Sequence, residues 1–151
     1  MKTASLLLTL FISLHLVSHA AQTKGHIHLV DSNYAVIPYT ASEFAPFKNA
    51  KPATLSAAEI RQIEKLTNTA IDAYNSNDKW EQIDKQYKIQ LVPVINAKGE
   101  KEVWVNCLCY TVGINWRKSL ANVDDGGSCF FNLKINLSKA QYYELEVNGL
   151  A

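Results

Sequence analysis

Residues 123–137, VDDGGSCFFNLKINL, join a turn-forming segment to an alternating one. In an extended chain one face would carry Cys129, Phe131, Leu133, Ile135 and Leu137, and the other would carry Ser128, Asn132, Lys134 and Asn136. This alternation, with Phe130 as its exception, is typical of a strand that has one buried and one wet face. Gly126 and Gly127 can adopt positive φ, so we interpret the acids and glycines as the turn that precedes the strand.

The same period of two occurs in three other segments, at 86–91, 103–107 and 142–147. Turn-forming residues at 96–99 and 136–139 separate them, which predicts two successive antiparallel hairpins. The predicted buried faces contain Tyr87, Ile89, Leu91, Tyr143, Leu145 and Val147, and the predicted wet faces contain Lys88, Gln90, Tyr142, Glu144 and Glu146. Pro93 has no N–H donor, so it is predicted at a sheet edge or a bulge.

A helix is predicted to begin directly after the sequence SAAE at 56–59, which is a capping box. Apolar residues then recur at spacings of three and four as far as Tyr74, which gives the helix one apolar stripe. Turn-forming residues at 75–78 predict its end, and residues 79–85 could add one more helical turn.

Residues 26–40, HIHLVDSNYAVIPYT, are rich in β-branched and aromatic residues. They predict one strand, or a short hairpin centred on 31–33. The order is therefore strand, helix and four strands, because the segment 44–54 has two prolines and no period. We predict an α+β fold in which one helix of the N-terminal half packs on a curved antiparallel sheet of four to five strands.

The first 20 residues predict a secretory signal peptide, with Lys2, an apolar run and small residues before a cleavage point after Ala20. Residues 21–151 would then form a single α+β domain that is secreted or periplasmic. No later stretch is apolar enough to predict a membrane helix. Cleavage removes Lys2 and no acid, which lowers the formal charge of +1 to zero. A neutral chain has no long-range field for polyanions, so we expect no nucleic-acid partner.

The chain has three cysteines, Cys107, Cys109 and Cys129. If the strands pair across a loop centred near residue 119, Cys109 and Cys129 come opposite each other and could form a disulfide. The alternative is that all three are buried thiols. A C-x-C pair without further ligands is poor evidence for zinc, and a catalytic thiol would need a nearby base.

Two other groups of ionisable residues are candidates for a metal or catalytic site. His26 and His28 lie two apart and could reach one metal ion, but they are close to the mature N-terminus, where exposed histidines without a ligand are expected. The acid pairs at 124–125 and 144–146 could bind calcium or act as an acid and a base, although acids beside glycines are ordinary turn residues. We therefore expect no cofactor, no metal and no catalytic set.

Trp104, Tyr110, Trp116 and Phe130 are the candidates for an interaction surface. Trp104, Tyr110 and Phe130 fall on the sheet face opposite the cysteines, so a helix on the cysteine face would leave them on the outer surface. Contiguous exposed aromatics mark interaction sites. The alternative is that the N-terminal segment or the 111–126 loop covers them.

The order of elements resembles that of the cystatins, secreted inhibitors of papain-like proteases, and the nuclear-transport-factor cone is the alternative. In the cystatins an N-terminal glycine and two hairpins form the inhibitory wedge, and Gly25 and Trp116 lie in roughly similar places. The segment 90–94, QLVPV, lacks the glycine of the first cystatin hairpin, and Trp116 follows Asn115 rather than proline. The resemblance therefore implies the fold and leaves inhibition of cysteine proteases as an alternative function.

A second resemblance rests on GEKEVWVNCLC, WRK, DGGSCFFNLKINL and YYELEVNGLA, which begin at residues 99, 116, 125 and 142. Together they are similar to a group of small exported bacterial proteins that has no assigned activity. We expect a non-catalytic binding or interaction module whose partner could be another protein. The remaining alternative is a ligand carrier or an enzyme with a pocket lined by the sheet.

Overall fold

The computed structural model describes residues 25–42, 46–77, 81–111, 113 and 115–150, so the predicted signal peptide lies outside the described residues. The elements are β1 (Tyr34–Val36), β2 (Lys51–Pro52), α1 (Ala57–Asn75), β3 (Lys88–Ile95), β4 (Lys101–Leu108), β5 (Phe130–Asn136) and β6 (Gln141–Val147), with one 3₁₀ turn (Gly127–Cys129) before β5. Within these residues the sheet is open, its order is β1-β3-β4-β5-β6, and β2 pairs with β3.

The predicted α+β class is confirmed, since one helix packs on a sheet whose four long strands are antiparallel neighbours. The prediction of a wholly antiparallel sheet was wrong, because β1 lies parallel to β3, with Tyr34 opposite Ile89. Helix α1 lies between these two strands in the chain and supplies the crossover that a parallel pair requires. The sheet is therefore mixed.

Residues 26–33 do not form the predicted strand or hairpin, because they are bound to the polar side of α1 instead. The Asn68 amide accepts from the Ile27 N–H at 2.8 Å and donates to the Ile27 carbonyl at 3.0 Å. Glu64 accepts from the Leu29 N–H at 2.8 Å. Two side chains of α1 thus replace the strand partner that this backbone lacks.

The predicted start and end of the helix are confirmed. Ser56 Oγ accepts from the Glu59 N–H, and the Glu59 carboxylate accepts from the Ser56 N–H at 2.7 Å, which completes the capping box. The predicted further turn is wrong over residues 81–85, which are not helical. The Asn75 side chain bonds both backbone groups of Ile83, at 2.9 and 3.0 Å, and this holds the non-helical chain beside the end of α1.

The main core lies between α1 and the sheet. Its central side chains are fully buried: Ile63, Ala70, Ile71, Leu91, Val105, Leu133 and Ile135. Each large one stabilises the fold by about 1.5–3 kcal/mol through the apolar surface that it removes from water. Phe131 lies in the same core, as predicted, in edge contact with Tyr87 at 5.0 Å between ring centroids. The helix-facing side of the sheet is thus filled with apolar side chains.

A β-bulge in β6 changes which residues face the helix. Asn132 pairs with Glu146, but Lys134 pairs with Tyr143, so Glu144 and its neighbour together oppose one residue of β5. Glu144 adopts a φ of 50°, which makes the local kink. Tyr142 therefore packs in the core and Tyr143 lies on the opposite face, which is the reverse of the prediction.

Pro93 lies within an interior strand rather than at a bulge. Its carbonyl accepts from the Ala53 N–H at 3.1 Å, so its nitrogen also points toward β1 and β2. The register of β1 ends at Leu91 and that of β2 begins at Val94. Pro93 thus occupies the gap between two short strands, where no donor is needed.

A cleft on the open face of the sheet

The face of the sheet opposite α1 carries two neighbouring rows of side chains across the long strands. One row is Val92, Trp104, Lys134 and Tyr143, and the next is Gln90, Asn106, Asn132 and Glu146. We call this the open face. The predicted wet face is thus polar in composition, but two segments of chain cover parts of it.

The first cover consists of residues 37–42 and 46–50. Its side chains Ile37, Tyr39 and Phe47 form a second apolar cluster with Val92 and Val94 of β3. The Tyr39 hydroxyl donates to the Phe47 carbonyl at 3.0 Å, which ties the two ends of the segment together. The N-terminal half of the chain therefore covers the part of the open face over β3.

The second cover is the segment 115–122, and Gln90 holds it down. The Gln90 Nε2 donates to the carbonyls of Trp116 and Ser119 at 2.6 and 2.8 Å, and its Oε1 accepts from the Ala121 N–H at 2.9 Å. Asn106 donates to the Ala121 carbonyl at 2.9 Å. Gln90 was predicted to be wet, but it is fully buried beneath this loop.

A cleft of about 550 Å³ remains between the two covers. Its walls are Ser42 and Pro46 of the first cover and the segment 120–122 of the second. Trp104, Asn132 and Lys134 line it from the sheet, and Glu144 and Glu146 line it from β6. Its volume is within the range of about 300–1,000 Å³ that is common for small-ligand sites.

The Trp104 indole is oriented by Asn132. The indole Nε1 donates to Asn132 Oδ1 at 3.0 Å, which connects the two cross-strand rows diagonally. Trp104 also packs on the apolar cluster of the first cover and is only partly exposed. The ring therefore presents carbon surface to the cleft, since its one donor is already bonded.

Three charged side chains line the β6 end of the cleft. Lys134 Nζ bonds Glu144 at 2.6 Å and lies 5.6 Å from the centroid of the Phe47 ring. Glu146 is exposed and bonds no described residue through its carboxylate. The cleft is therefore lined by two carboxylates and one ammonium group, which leaves one carboxylate without a positively charged partner in the described lining.

The four aromatic residues predicted as an interaction surface have different surroundings. Only Trp104 lines the cleft. The Trp116 ring has the Arg117 guanidinium at 4.3 Å, while Arg117 itself donates to the Tyr34 carbonyl and fastens the second cover to β1. Tyr110 is 58% exposed beyond the end of β4, and Phe130 is half-buried at the start of β5.

The predicted disulfide is present. Cys109 and Cys129 are bonded with their Cα atoms 4.9 Å apart, and the Cys109 N–H donates to the Cys129 carbonyl at 2.9 Å. Cys107 is a free, fully buried thiol, and burial raises its pKa well above the ordinary value. A thiol held protonated in the core is not a nucleophile.

The histidines and acids that were weighed as metal ligands have other positions. His26 lies 2.7 Å from Asp72 and His28 lies 3.1 Å from Glu64, so both contact carboxylates of α1. The acids at 124–125 are exposed in the turn before the 3₁₀ segment, as the turn interpretation predicted. Within the described part of the chain, no three metal-ligating side chains come together.

A carboxylate cluster stabilises the far end of the open face. Lys139, Asn136 and Asn96 all donate to Glu100, and they lower its pKa to about 2. Asn136 also donates to Glu102 at 3.1 Å. Burial and the neighbouring Glu102 raise the pKa of the Tyr143 hydroxyl. These acids connect β4, β5 and β6 and lie outside the lining of the cleft.

The sequence interpretation missed Gln90, Asn106, Asn132 and Glu146 as a functional group. In the sequence these four residues occupy polar positions of four predicted strands. This pattern predicts that they are exposed to solvent, but it does not predict that they lie next to one another. Knowing the register of all four strands is necessary to see that they form one row. Among the described residues, moreover, no helix is long and apolar enough to cross a membrane.

No protein-family model, curated protein sequence or solved structure matches this chain.

Proposed function

We propose that the chain is an exported, non-catalytic binding module whose ligand occupies the cleft on the open face. The observation that carries this proposal is the position of Trp104. Two covering segments hide parts of the open face, yet they leave this large aromatic side chain at the base of a cleft with polar walls. A mostly preformed cleft that combines apolar surface with a few polar groups is the usual form of a ligand site.

Export is supported by the leader and by the disulfide. The apolar segment at the N-terminus has the composition of a signal peptide. The Cys109–Cys129 bond fits an oxidising compartment, since reducing conditions keep most cytosolic thiols free. The resemblance to small exported bacterial proteins agrees with this proposal and stays a prediction.

A binding role is favoured over catalysis by the state of the candidate nucleophiles. Burial holds the Cys107 thiol protonated, and Ser128 is fully buried although Lys85 bonds its hydroxyl at 2.6 Å. A nucleophile needs both an activating base and access to substrate. Neither side chain lines the cleft.

Inhibition of papain-like proteases is the weaker alternative. In that function the segment 90–94 would project as a hairpin tip, but it lies inside β3, where Gln90, Leu91 and Val94 are fully buried. A ligand carrier or an enzyme with a pocket between the helix and the sheet is also disfavoured, because that interface is filled with buried apolar side chains. A titration against papain in which stoichiometric protein causes no loss of activity would exclude the inhibitor.

The proposal is tested by mapping where small organic fragments bind to the oxidised chain without its leader. Fragments collect at sites that are built for ligands, whatever the natural ligand is. We expect chemical-shift changes in heteronuclear NMR to cluster on Trp104, Asn132 and Glu146, and Trp104→Ala to abolish the cluster. Tyr110→Ala is the matched control, since it removes an exposed aromatic outside the cleft and should change nothing. Shifts that cluster elsewhere, or nowhere, would contradict the proposal.

A further inference from the structure

We infer that the ligand of the cleft is a neutral carbohydrate, one or two sugar rings of an oligosaccharide, with one ring placed on Trp104. This inference rests on the proposed function and specifies its ligand. Three properties of the cleft carry it: the apolar base, the mixture of donors and acceptors on the walls, and the near-balance of charge.

The base of the cleft suits the C–H face of a sugar ring. Trp104 lines the cleft while Asn132 Oδ1 takes its N–H at 3.0 Å, so the indole has no donor left to offer a ligand. A pyranose ring has an apolar face of C–H groups as well as its hydroxyls. Contact between that face and a fixed aromatic ring buries apolar surface on both and costs little conformational entropy.

The walls of the cleft carry both donors and acceptors. The side chains of Ser42, Asn122 and Glu146 and the amide nitrogen of Asn132 line it, and none of the four bonds another described residue. An amide donates and accepts, a hydroxyl does both, and a carboxylate accepts only. Sugar hydroxyls, which donate and accept at neighbouring carbons, match this mixture.

The charge of the cleft excludes an anionic ligand, and its hydrogen-bond donors disfavour a cationic one. Lys134 is neutralised by Glu144 at 2.6 Å, and Glu146 adds one unpaired carboxylate. A phosphate or a uronate would meet net negative charge. A cation would be attracted by Glu146, but it would offer no acceptor to the donors of Ser42, Asn122 and Asn132. A neutral ligand that donates and accepts hydrogen bonds meets no charge repulsion and can pair with all four groups.

The openness of the cleft sets the expected affinity. Ser42, Leu120, Asn122, Glu144 and Glu146 are all exposed, so a bound sugar would keep one side in water. Ligands that are only partly desolvated typically bind with dissociation constants of roughly 0.1–1 mM. Probe concentrations of about 10 mM are therefore needed to reach saturation.

The experiment titrates the oxidised, leaderless chain with three neutral hexasaccharides, cellohexaose, maltohexaose and hexa-N-acetylchitohexaose, and follows the NMR shifts of the Trp104 indole N–H and the Asn132 amide. Hexagalacturonate and hexalysine are the anionic and cationic probes. We expect saturable shifts with at least one neutral hexasaccharide and none with hexagalacturonate. We also expect Trp104→Ala to weaken binding by at least about ten-fold.

Two variants keep the result interpretable. Glu146→Gln removes the unpaired carboxylate from an exposed side chain, so the fold should persist and the affinity for the hexasaccharide should fall about three- to ten-fold. Tyr110→Ala should bind like the wild type. If no neutral hexasaccharide shifts these resonances, or if hexalysine alone does, the inference is overturned. The proposed function fails separately, and only if the fragment map also avoids the cleft.

Discussion

Asn106 Nδ2 donates to Gln90 Oε1 at 3.1 Å, and the two residues are paired directly across β3 and β4. This contact completes the hydrogen bonding of the Gln90 side-chain amide, which is fully buried. All other hydrogen bonds of this amide go to the second cover. The wall of the cleft is therefore anchored by two side chains of the sheet. Both bonds of Asn106, to Gln90 and to the Ala121 carbonyl, fix the same segment.

Gln90→Leu should destabilise the chain by about 2–4 kcal/mol, because it leaves the carbonyls of Trp116 and Ser119 without donors and the N–H of the buried Ala121 without its acceptor. Chemical denaturation measures this loss. The matched control is Gln141→Leu, at an exposed position of β6, which should change the free energy of unfolding by less than about 0.5 kcal/mol. Equal effects of the two substitutions would contradict the anchoring role.

The disulfide should stabilise the chain by about 3 kcal/mol, the value expected for a loop of this length. Replacing both Cys109 and Cys129 with serine should lower the free energy of unfolding by that amount. A thiol reagent checks the pairing independently. The oxidised native chain should react at no cysteine and the denatured chain at Cys107 alone. More than one thiol in the denatured, unreduced chain would exclude the bridge.

The pH dependence of stability should show the contribution of Glu100. Its pKa in the folded chain is about 2, well below the ordinary value of 4.5, chiefly because Lys139 donates to it. A carboxyl whose pKa is lowered on folding stabilises the fold fully above pH 4.5, and this stabilisation is lost as the pH falls to about 2. Unfolding free energies measured across that interval should decline less steeply for Glu100→Gln than for the wild type.

Lys139→Gln provides the control for that prediction. It removes the largest cause of the lowered pKa and keeps the carboxyl, so the carbon-detected NMR titration of Glu100 should move to higher pH. A wild-type Glu100 that already titrates near 4.5 would contradict the three donors that the structure places around it.

The turn between β5 and β6 offers a stabilising substitution. Ala140 is exposed and has a φ of 52°, in the left-handed region that costs residues with a Cβ about 1 kcal/mol. Ala140→Gly should therefore raise the free energy of unfolding by about 0.5–1 kcal/mol. Ala73→Gly, at an exposed position of α1, should have the opposite sign and a similar size. A loss of stability at both positions would show that the turn has another conformation.

Local signals made the helix predictable. The capping box at 56–59 and the apolar stripe that follows it lie within one element, so no distant residue was needed to place α1. The Cys109–Cys129 disulfide was one of two alternatives for the cysteines, the other being three buried thiols, and the structure shows the disulfide. It could be considered because it needs only one antiparallel register centred near residue 119, and the structure has that register, with Cys107 opposite Phe131.

Two of the errors concern contacts with distant parts of the chain, and a third comes from local backbone geometry. The burial of Gln90 depends on a loop that begins 25 residues later, and the parallel pairing of β1 depends on a partner that follows the helix. The reversal of Tyr142 and Tyr143 comes from a bulge at Glu144, where no glycine marks the positive φ. The cleft could not be predicted either, because both of its walls are such covering segments.

The fragment map around Trp104 tests the central claim most directly, since it requires no knowledge of the natural ligand. We predict that more fragments change the NMR chemical shifts of the Trp104 indole N–H and the Glu146 backbone amide than those of Trp116 and Tyr110. In Trp104→Ala the chemical shift of the Glu146 amide should lose this preference. Fragments that instead favour Tyr110 or Trp116, or that leave Trp104 unshifted, would show that the open face is a structural surface and not a binding site.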